Sequence, residues 1–161
     1  MRDIRATTFN LWGFAMGIAL FFFSCKKDGN DAEQPMLNPP VKSYIVIARI
    51  DKKGTNSNSE GTAVLKGTYD EATKLLSYKL EYKDLIPELI TFRYGSKGSA
   101  GTLIKELYRS SGKANILTVS GSVSLTPLQE RNLLKGLWFV SVNTLKLSPE
   151  ISGYLTLKQK Q

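Results

Sequence analysis

Leu76-Ser77-Tyr78-Lys79-Leu80-Glu81-Tyr82 alternates apolar and polar side chains at every step. A period of two sets Leu76, Tyr78, Leu80 and Tyr82 on one face and Ser77, Lys79 and Glu81 on the other, the signature of a half-buried antiparallel strand. Trp138, Val140 and Val142 give a second face of the same kind. Working outward, the same period predicts strands over Tyr44–Ile50, Thr62–Tyr69, Lys74–Tyr82, Ile90–Tyr94, Thr102–Tyr108, Ile116–Leu125, Leu137–Thr144 and Ile151–Leu157. Asp70-Glu71-Ala72-Thr73 reads as a hairpin loop, and the Asn- and Ser-rich stretch from Gly54 to Gly61 as a mobile connection. A single helix is expected at Thr126–Lys135: Thr126 caps, Pro127 suits the first turn, Gln129 completes a capping box and Gly136 ends it. About eight strands with one short crossover helix predict an all-β, two-layer antiparallel sandwich of the Greek-key kind.

The chain has 161 residues, enough for one domain. It contains no histidine and one cysteine. That count removes internal disulfides, histidine-bearing or cysteine-rich zinc sites and every histidine-based triad, so no cofactor or metal is expected. No Gly-x-Ser-x-Gly elbow occurs, and the carboxylate pairs Asp70 with Glu71 and Glu81 with Asp84 lie at a turn and a strand end among lysines. No catalytic residue is assigned. Tyr78, Tyr82, Tyr94, Tyr108, Trp138 and Tyr154 suit either core packing or a sugar-stacking platform, and their alternation with polar residues favours the core.

Before the strands comes an address. Arg2 and Arg5 precede the apolar run Leu11–Phe23, which falls short of the roughly 20 residues that a spanning helix needs. The run ends in Phe22-Phe23-Ser24-Cys25 and turns polar at once with Lys26-Lys27-Asp28. This junction resembles a bacterial lipoprotein signal, which implies removal of residues 1–24 and lipidation at Cys25. Two or three acyl chains make membrane attachment lasting where one is marginal. Residues 25–43, with Pro35, Pro39 and Pro40, read as a tether, leaving 44–161 as the folded domain. The start after Cys25 is also similar to lipoproteins of the Bacteroidetes group, implying an outer-membrane location with the domain facing the periplasm or the cell surface.

Two stretches carry a further resemblance. Thr91-Phe92-Arg93-Tyr94-Gly95-Ser96-Lys97-Gly98-Ser99-Ala100-Gly101 and, later, Phe139-Val140-Ser141-Val142-Asn143-Thr144 followed by Glu150–Leu155 resemble the CHRD (chordin-type) domain over roughly residues 44–157. The resemblance implies a β-sandwich module of secreted proteins and lipoproteins. The family's glycine series matches at Gly95, Gly98 and Gly101, whereas Thr91, Arg93 and Asn143 stand at its histidine positions. Arginine only donates hydrogen bonds, and threonine and asparagine are weak ligands for transition metals, so any metal chemistry tied to those histidines is not expected here. Thr91, Arg93, Gly95, Gly98, Gly101 and Asn143 are the candidate binding residues.

The formal net charge is +8, with the lysines spread rather than clustered. Scattered lysines on strands protect edges and solvate faces, so nucleic acid is not the expected partner. The expected contacts are the membrane, through the lipid anchor, and an envelope protein or anionic surface polymer. The reading is therefore a membrane-anchored, non-catalytic binding or structural module. Glycan capture is the alternative, and a metal-dependent redox protein a more distant one.

Overall fold

The computed structural model describes residues 42–112 and 118–160. In chain order the strands are β1 (Ser43–Ile50), β2 (Thr62–Asp70), β3 (Leu75–Lys83), β4 (Leu89–Tyr94), β5 (Thr102–Arg109), β6 (Thr118–Ser124), β7 (Trp138–Asn143), β8 (Ile151–Tyr154) and β9 (Thr156–Gln159), with one helix, α1 (Pro127–Leu134), between β6 and β7. They build two antiparallel sheets, a five-stranded one in the order β6-β3-β2-β1-β9 and a four-stranded one in the order β5-β4-β7-β8. The pairings β3–β6 and β4–β7 skip intervening strands, as the expected Greek-key sandwich requires. The signal segment 1–24, Cys25, nearly all of the proposed tether and the Ile116 end of the sixth expected strand lie outside the described residues.

The alternation in β3 does what it predicts: Leu76, Tyr78, Leu80 and Tyr82 are buried while Lys79, Glu81 and Lys83 are exposed. Opposite them, β4 contributes Ile90 and Phe92, and β7 contributes Trp138, Val140 and Val142, all fully buried. The two sheets meet through aromatic rings. Tyr78 packs edge-on against Phe92 at 5.1 Å between ring centres, and Phe92 lies 5.6 Å from Trp138. These arrangements match the preference of aromatic quadrupoles for edge and tilted contacts over flat stacking. Tyr94 and Tyr108 pack at the margin of this core, and of the flagged aromatics only Tyr154 faces outward to line a surface cleft.

The helix forms at the expected place and for the expected reason. Thr126 accepts the Gln129 N–H while the Gln129 side chain accepts the Thr126 N–H at 2.9 Å, and Gly136 follows the helix with a positive φ of 70°. The helix docks through Glu130, which accepts the Tyr69 hydroxyl at 2.5 Å and the Lys74 ammonium at 2.8 Å. Burial alone would raise the Glu130 pKa, but these two donors outweigh it and hold the carboxyl below its ordinary value. The Trp138 indole N–H donates to the Gln129 carbonyl, tying the helix to β7.

Two expectations need correction. The segment Ile151–Leu157 is not one strand: β8 pairs with β7, the Leu155 N–H turns back to the Trp138 carbonyl, and Thr156 begins pairing with Ile47 in the other sheet. The apolar alternation runs unbroken through Ile151, Leu155 and Leu157, so periodicity cannot reveal a strand that changes sheets. At this crossing Gly153 lets β8 approach β1 closely, since a Cβ there would sit 2.0 Å from the Arg49 carbonyl oxygen. The second correction concerns the stretch from Gly54 to Gly61, which is tied down. After a 3₁₀ turn at Lys52–Gly54, Thr55 and Ser57 donate to the Glu150 carbonyl at 2.7 and 2.6 Å.

Truncating a ring at the inter-sheet contact leaves a cavity in a close-packed interior. Phe92→Ala is expected to cost about 3–5 kcal/mol in urea unfolding. Ile47→Ala, at a position 40% exposed on the outer face of the five-stranded sheet, should stay within about 0.5 kcal/mol. Equal losses for the two variants would contradict the assigned core.

Candidate functional site

A strand that buries Phe92 must turn Thr91 and Arg93 to the opposite face, and one that buries Trp138, Val140 and Val142 must turn out Phe139, Ser141 and Asn143. β4 and β7 pair with Thr91 opposite Ser141, Arg93 opposite Phe139 and Leu89 opposite Asn143. β8 extends this outer face with Ser152 and Tyr154, which lie opposite Ser141 and Phe139. The β4–β5 loop, Gly95–Gly101, overhangs one side, and the 3₁₀ turn with the Ser148–Pro149 segment bounds the other. Between them lies a cleft of about 480 Å³.

The lining is polar and almost uncharged. Thr55, Asn56, Ser99, Ser141, Asn143, Ser148 and Ser152 contribute neutral hydrogen-bonding groups, Phe139 and Tyr154 an aromatic pair at 5.1 Å, and Arg93 the single formal charge among the described residues. Among the described residues no carboxylate lines the cleft. Ser141 donates to the Asn143 side-chain oxygen at 3.2 Å, which leaves the Asn143 amide NH2 without a partner among the described residues.

Arg93 is held by its own loop. Its Nε donates to the Ala100 carbonyl at 2.7 Å and one Nη to the Gly101 carbonyl at 2.9 Å. The loop can present those carbonyls because Gly101 has a φ of +62° and lies over the Phe139 ring, where a Cβ would come within 2.7 Å of two ring carbons. Both requirements exclude a side chain at 101. Gly98, with a φ of +81°, also lines the cleft, whereas Gly95 stands behind it and accepts the Tyr154 hydroxyl at 3.3 Å. Thr91 is 2% exposed and does not reach the cleft. Of the six candidate residues, Arg93, Gly98 and Asn143 line the cleft, Gly95 and Gly101 shape it, and Thr91 lies beneath. Cys25 is outside the described residues.

Sequence reasoning flagged Tyr154 among the possible sugar-stacking aromatics but missed Asn56, Phe139, Ser148, Ser152 and the buttress Glu150. The outward half of β7 was readable, since naming Trp138, Val140 and Val142 as a buried face implies Phe139, Ser141 and Asn143 on the other. The 3₁₀ turn and Ser148 were not, because their position depends on contacts distant in sequence. Glu150 makes most of these contacts. Its carboxylate accepts the Ser59 hydroxyl at 2.5 Å and the Thr144 hydroxyl, and its carbonyl accepts Thr55 and Ser57. The hydrogen bonds from Ser59 and Thr144 hold its pKa below the ordinary carboxylate value.

The carboxylates Asp70, Glu71 and Glu81 have structural partners. Asp70 accepts the Thr73 N–H and hydroxyl at 2.9 Å and closes the hairpin, while Glu71 accepts the Tyr44 hydroxyl at 2.8 Å. Glu81 pairs with Lys79 at 2.6 Å on the outer face of the five-stranded sheet. There a larger depression, about 710 Å³, is bordered by Ile47, Arg49, Val64, Lys66, Lys79 and Glu81. Lys79 and Glu81 are more than half exposed, and such solvated pairs impose little fixed geometry, so the cleft around Arg93 is the better-defined site. Among the described residues no group of three or more His, Cys, Asp or Glu side chains could hold a metal ion, and no helix is long and apolar enough to cross a membrane.

A carboxyl group with a depressed folded pKa stabilises the fold above its unfolded value and loses that contribution as the pH falls through the folded one. Glu150→Gln should therefore cost about 1 kcal/mol or more near pH 7. The deficit relative to the parent should shrink as unfolding is measured from pH 6 down to pH 3, and a deficit constant with pH would exclude the carboxylate as its source. In comparison with known proteins, the chain matches no family model, no curated protein and no solved structure.

Proposed function

We propose that this chain is a lipid-anchored module of the bacterial cell envelope, related to CHRD domains, that binds a ligand in the cleft on the four-stranded sheet and performs no chemistry on it. The observation that carries the binding reading is the cleft itself: one guanidinium held by two backbone carbonyls, ringed by neutral hydroxyl and amide groups and floored by two aromatic rings. Binding sites place a few fixed polar groups around a partly apolar floor, and this arrangement has that composition. Arginine remains charged at any physiological pH and cannot serve as an acid or base, and no carboxylate, cysteine or histidine stands beside it.

The membrane part of the reading rests on the sequence around Cys25. Lipidation there puts the domain at the outer membrane, facing the periplasm or the cell surface, with the segment before Ser43 giving it reach. The basic outer face of the five-stranded sheet, with Arg49, Lys66 and Lys79, supports an envelope protein or anionic surface polymer as a further contact. Glycan capture stands as the second reading for the cleft, favoured by the Phe139–Tyr154 pair rather than by the core aromatics. The metal-dependent alternative has no histidine to draw on.

Labelling of cells with a radioactive fatty acid tests the anchor. The parent chain is expected to take up label and partition with membranes, and Cys25→Ala to do neither; an unlabelled parent chain refutes the anchored reading. Catalysis has a separate test: turnover of a bound ligand that persists through purification and is lost in cleft variants would overturn the non-catalytic assignment.

A further inference from the structure

We propose that the cleft takes a carboxylate-bearing sugar, a hexuronate unit of an acidic glycan, and that Arg93 receives its carboxylate. This rests on the cleft being the binding site and adds the ligand's chemical class. A guanidinium has five N–H donors on three edges. Nε and the neighbouring Nη of Arg93 spend one edge on the Ala100 and Gly101 carbonyls. The edge across the two Nη atoms keeps its pair of parallel N–H donors, with no protein acceptor among the described residues. Parallel N–H donors on one edge match the two oxygens of a planar carboxylate, and charge assistance roughly doubles the strength of such bonds.

Charge balance narrows the class. Among the described residues Arg93 is the single charge in the lining, so a monoanion leaves the filled cleft neutral, whereas a phosphate dianion brings an excess negative charge away from bulk water. The remaining groups suit a polyhydroxylated ring. The unpaired Asn143 amide donates, Ser99 and Ser141, whose hydroxyl protons go to the Ser96 carbonyl and the Asn143 side-chain oxygen, accept, and Ser148 can do both. Tyr154 offers an apolar ring surface to the C–H face of a sugar, backed by Phe139, which is 6% exposed beneath Gly101. A neutral sugar could use these groups but would leave the free edge of Arg93 unpaired. The net positive charge, +8 for the full chain and little changed by removal of residues 1–24, favours approach of an acidic polymer and makes the encounter sensitive to salt.

Isothermal titration of the full chain with oligogalacturonate, neutral oligogalactose of equal length, free galacturonate and inorganic phosphate provides the test. The expected result is binding of the uronate oligomer at least tenfold tighter than the neutral one, with free galacturonate, but not inorganic phosphate, competing at equal concentration. Arg93→Gln should erase the preference for the acidic sugar, and Arg93→Lys should restore it only in part because the fork is lost. Since Arg93 also braces the glycine loop, Asn143→Ala serves as a variant outside that brace and should weaken both oligomers alike while leaving the acidic preference. Equal affinity for acidic and neutral oligomers overturns the carboxylate assignment and leaves the cleft as a glycan site. Competition by phosphate as strong as by galacturonate overturns it in favour of a general anion site. Uronate binding unaffected by Arg93→Gln and Asn143→Ala places the sugar elsewhere, and overturns the cleft reading itself.

Discussion

Phe92, caught between Tyr78 of the facing sheet and Trp138 of the neighbouring strand, decides which way every residue of β4 faces. In a strand, direction alternates without exception short of a bulge, so burying Phe92 turns Arg93 out, and burying Val140 and Val142 turns out Phe139, Ser141 and Asn143. A slip of one residue would bury the guanidinium and expose the rings, a change that the hydrophobic core strongly opposes. The core and the cleft are thus two faces of the same register. β4 and β7 pair without a shift, while both irregularities in this part of the sheet fall between β4 and β5, on the side away from β7. The floor of the cleft is built on the regular pair.

How much of this was legible follows from where each determinant lies in the chain. Strand alternation and the capping box of α1 depend on residues within a few positions of one another, and both were readable at Leu76–Tyr82 and at Thr126–Gln129. The change of sheet at Leu155 was hidden because Ile151, Leu155 and Leu157 keep one periodicity while their partners change from Phe139 and Val142 to Val46 and Ile47. The tying of the loop after Gly54 depends on Glu150, more than 90 residues away in sequence, and composition alone suggested mobility. The glycine series was readable as a shaped loop, but its use in holding Arg93 was not. A pattern of glycines does not say which carbonyls it turns toward a guanidinium.

The two regions of positive charge differ in physical kind. On the five-stranded sheet, Lys79 is more than half exposed and paired with Glu81, so its field is softened by salt and by its own motion. In the cleft, Arg93 loses its freedom to two carbonyl acceptors before any ligand arrives. A group already ordered by the protein gives up less entropy on binding, and preorganisation of that kind separates a site from a merely basic surface. Glu150 extends the same principle to the opposite wall, where its four hydrogen bonds fix Thr55, Ser57 and Ser59 after the 3₁₀ turn and Thr144 at the start of the β7–β8 loop.

The perturbed ionisable groups among the described residues serve the fold. Acid–base catalysts are marked by groups whose environments push their pKa values toward neutrality within a shared site. Here Glu130 and Glu150 are moved the other way by hydrogen bonds that serve a helix and a loop. Burial raises Tyr69 and Tyr78 further from neutrality, and both belong to the core. Tyr154, the tyrosine in the cleft, is likewise raised by burial and spends its hydroxyl on the Gly95 carbonyl. The lining retains donors and acceptors that can recognise a ligand.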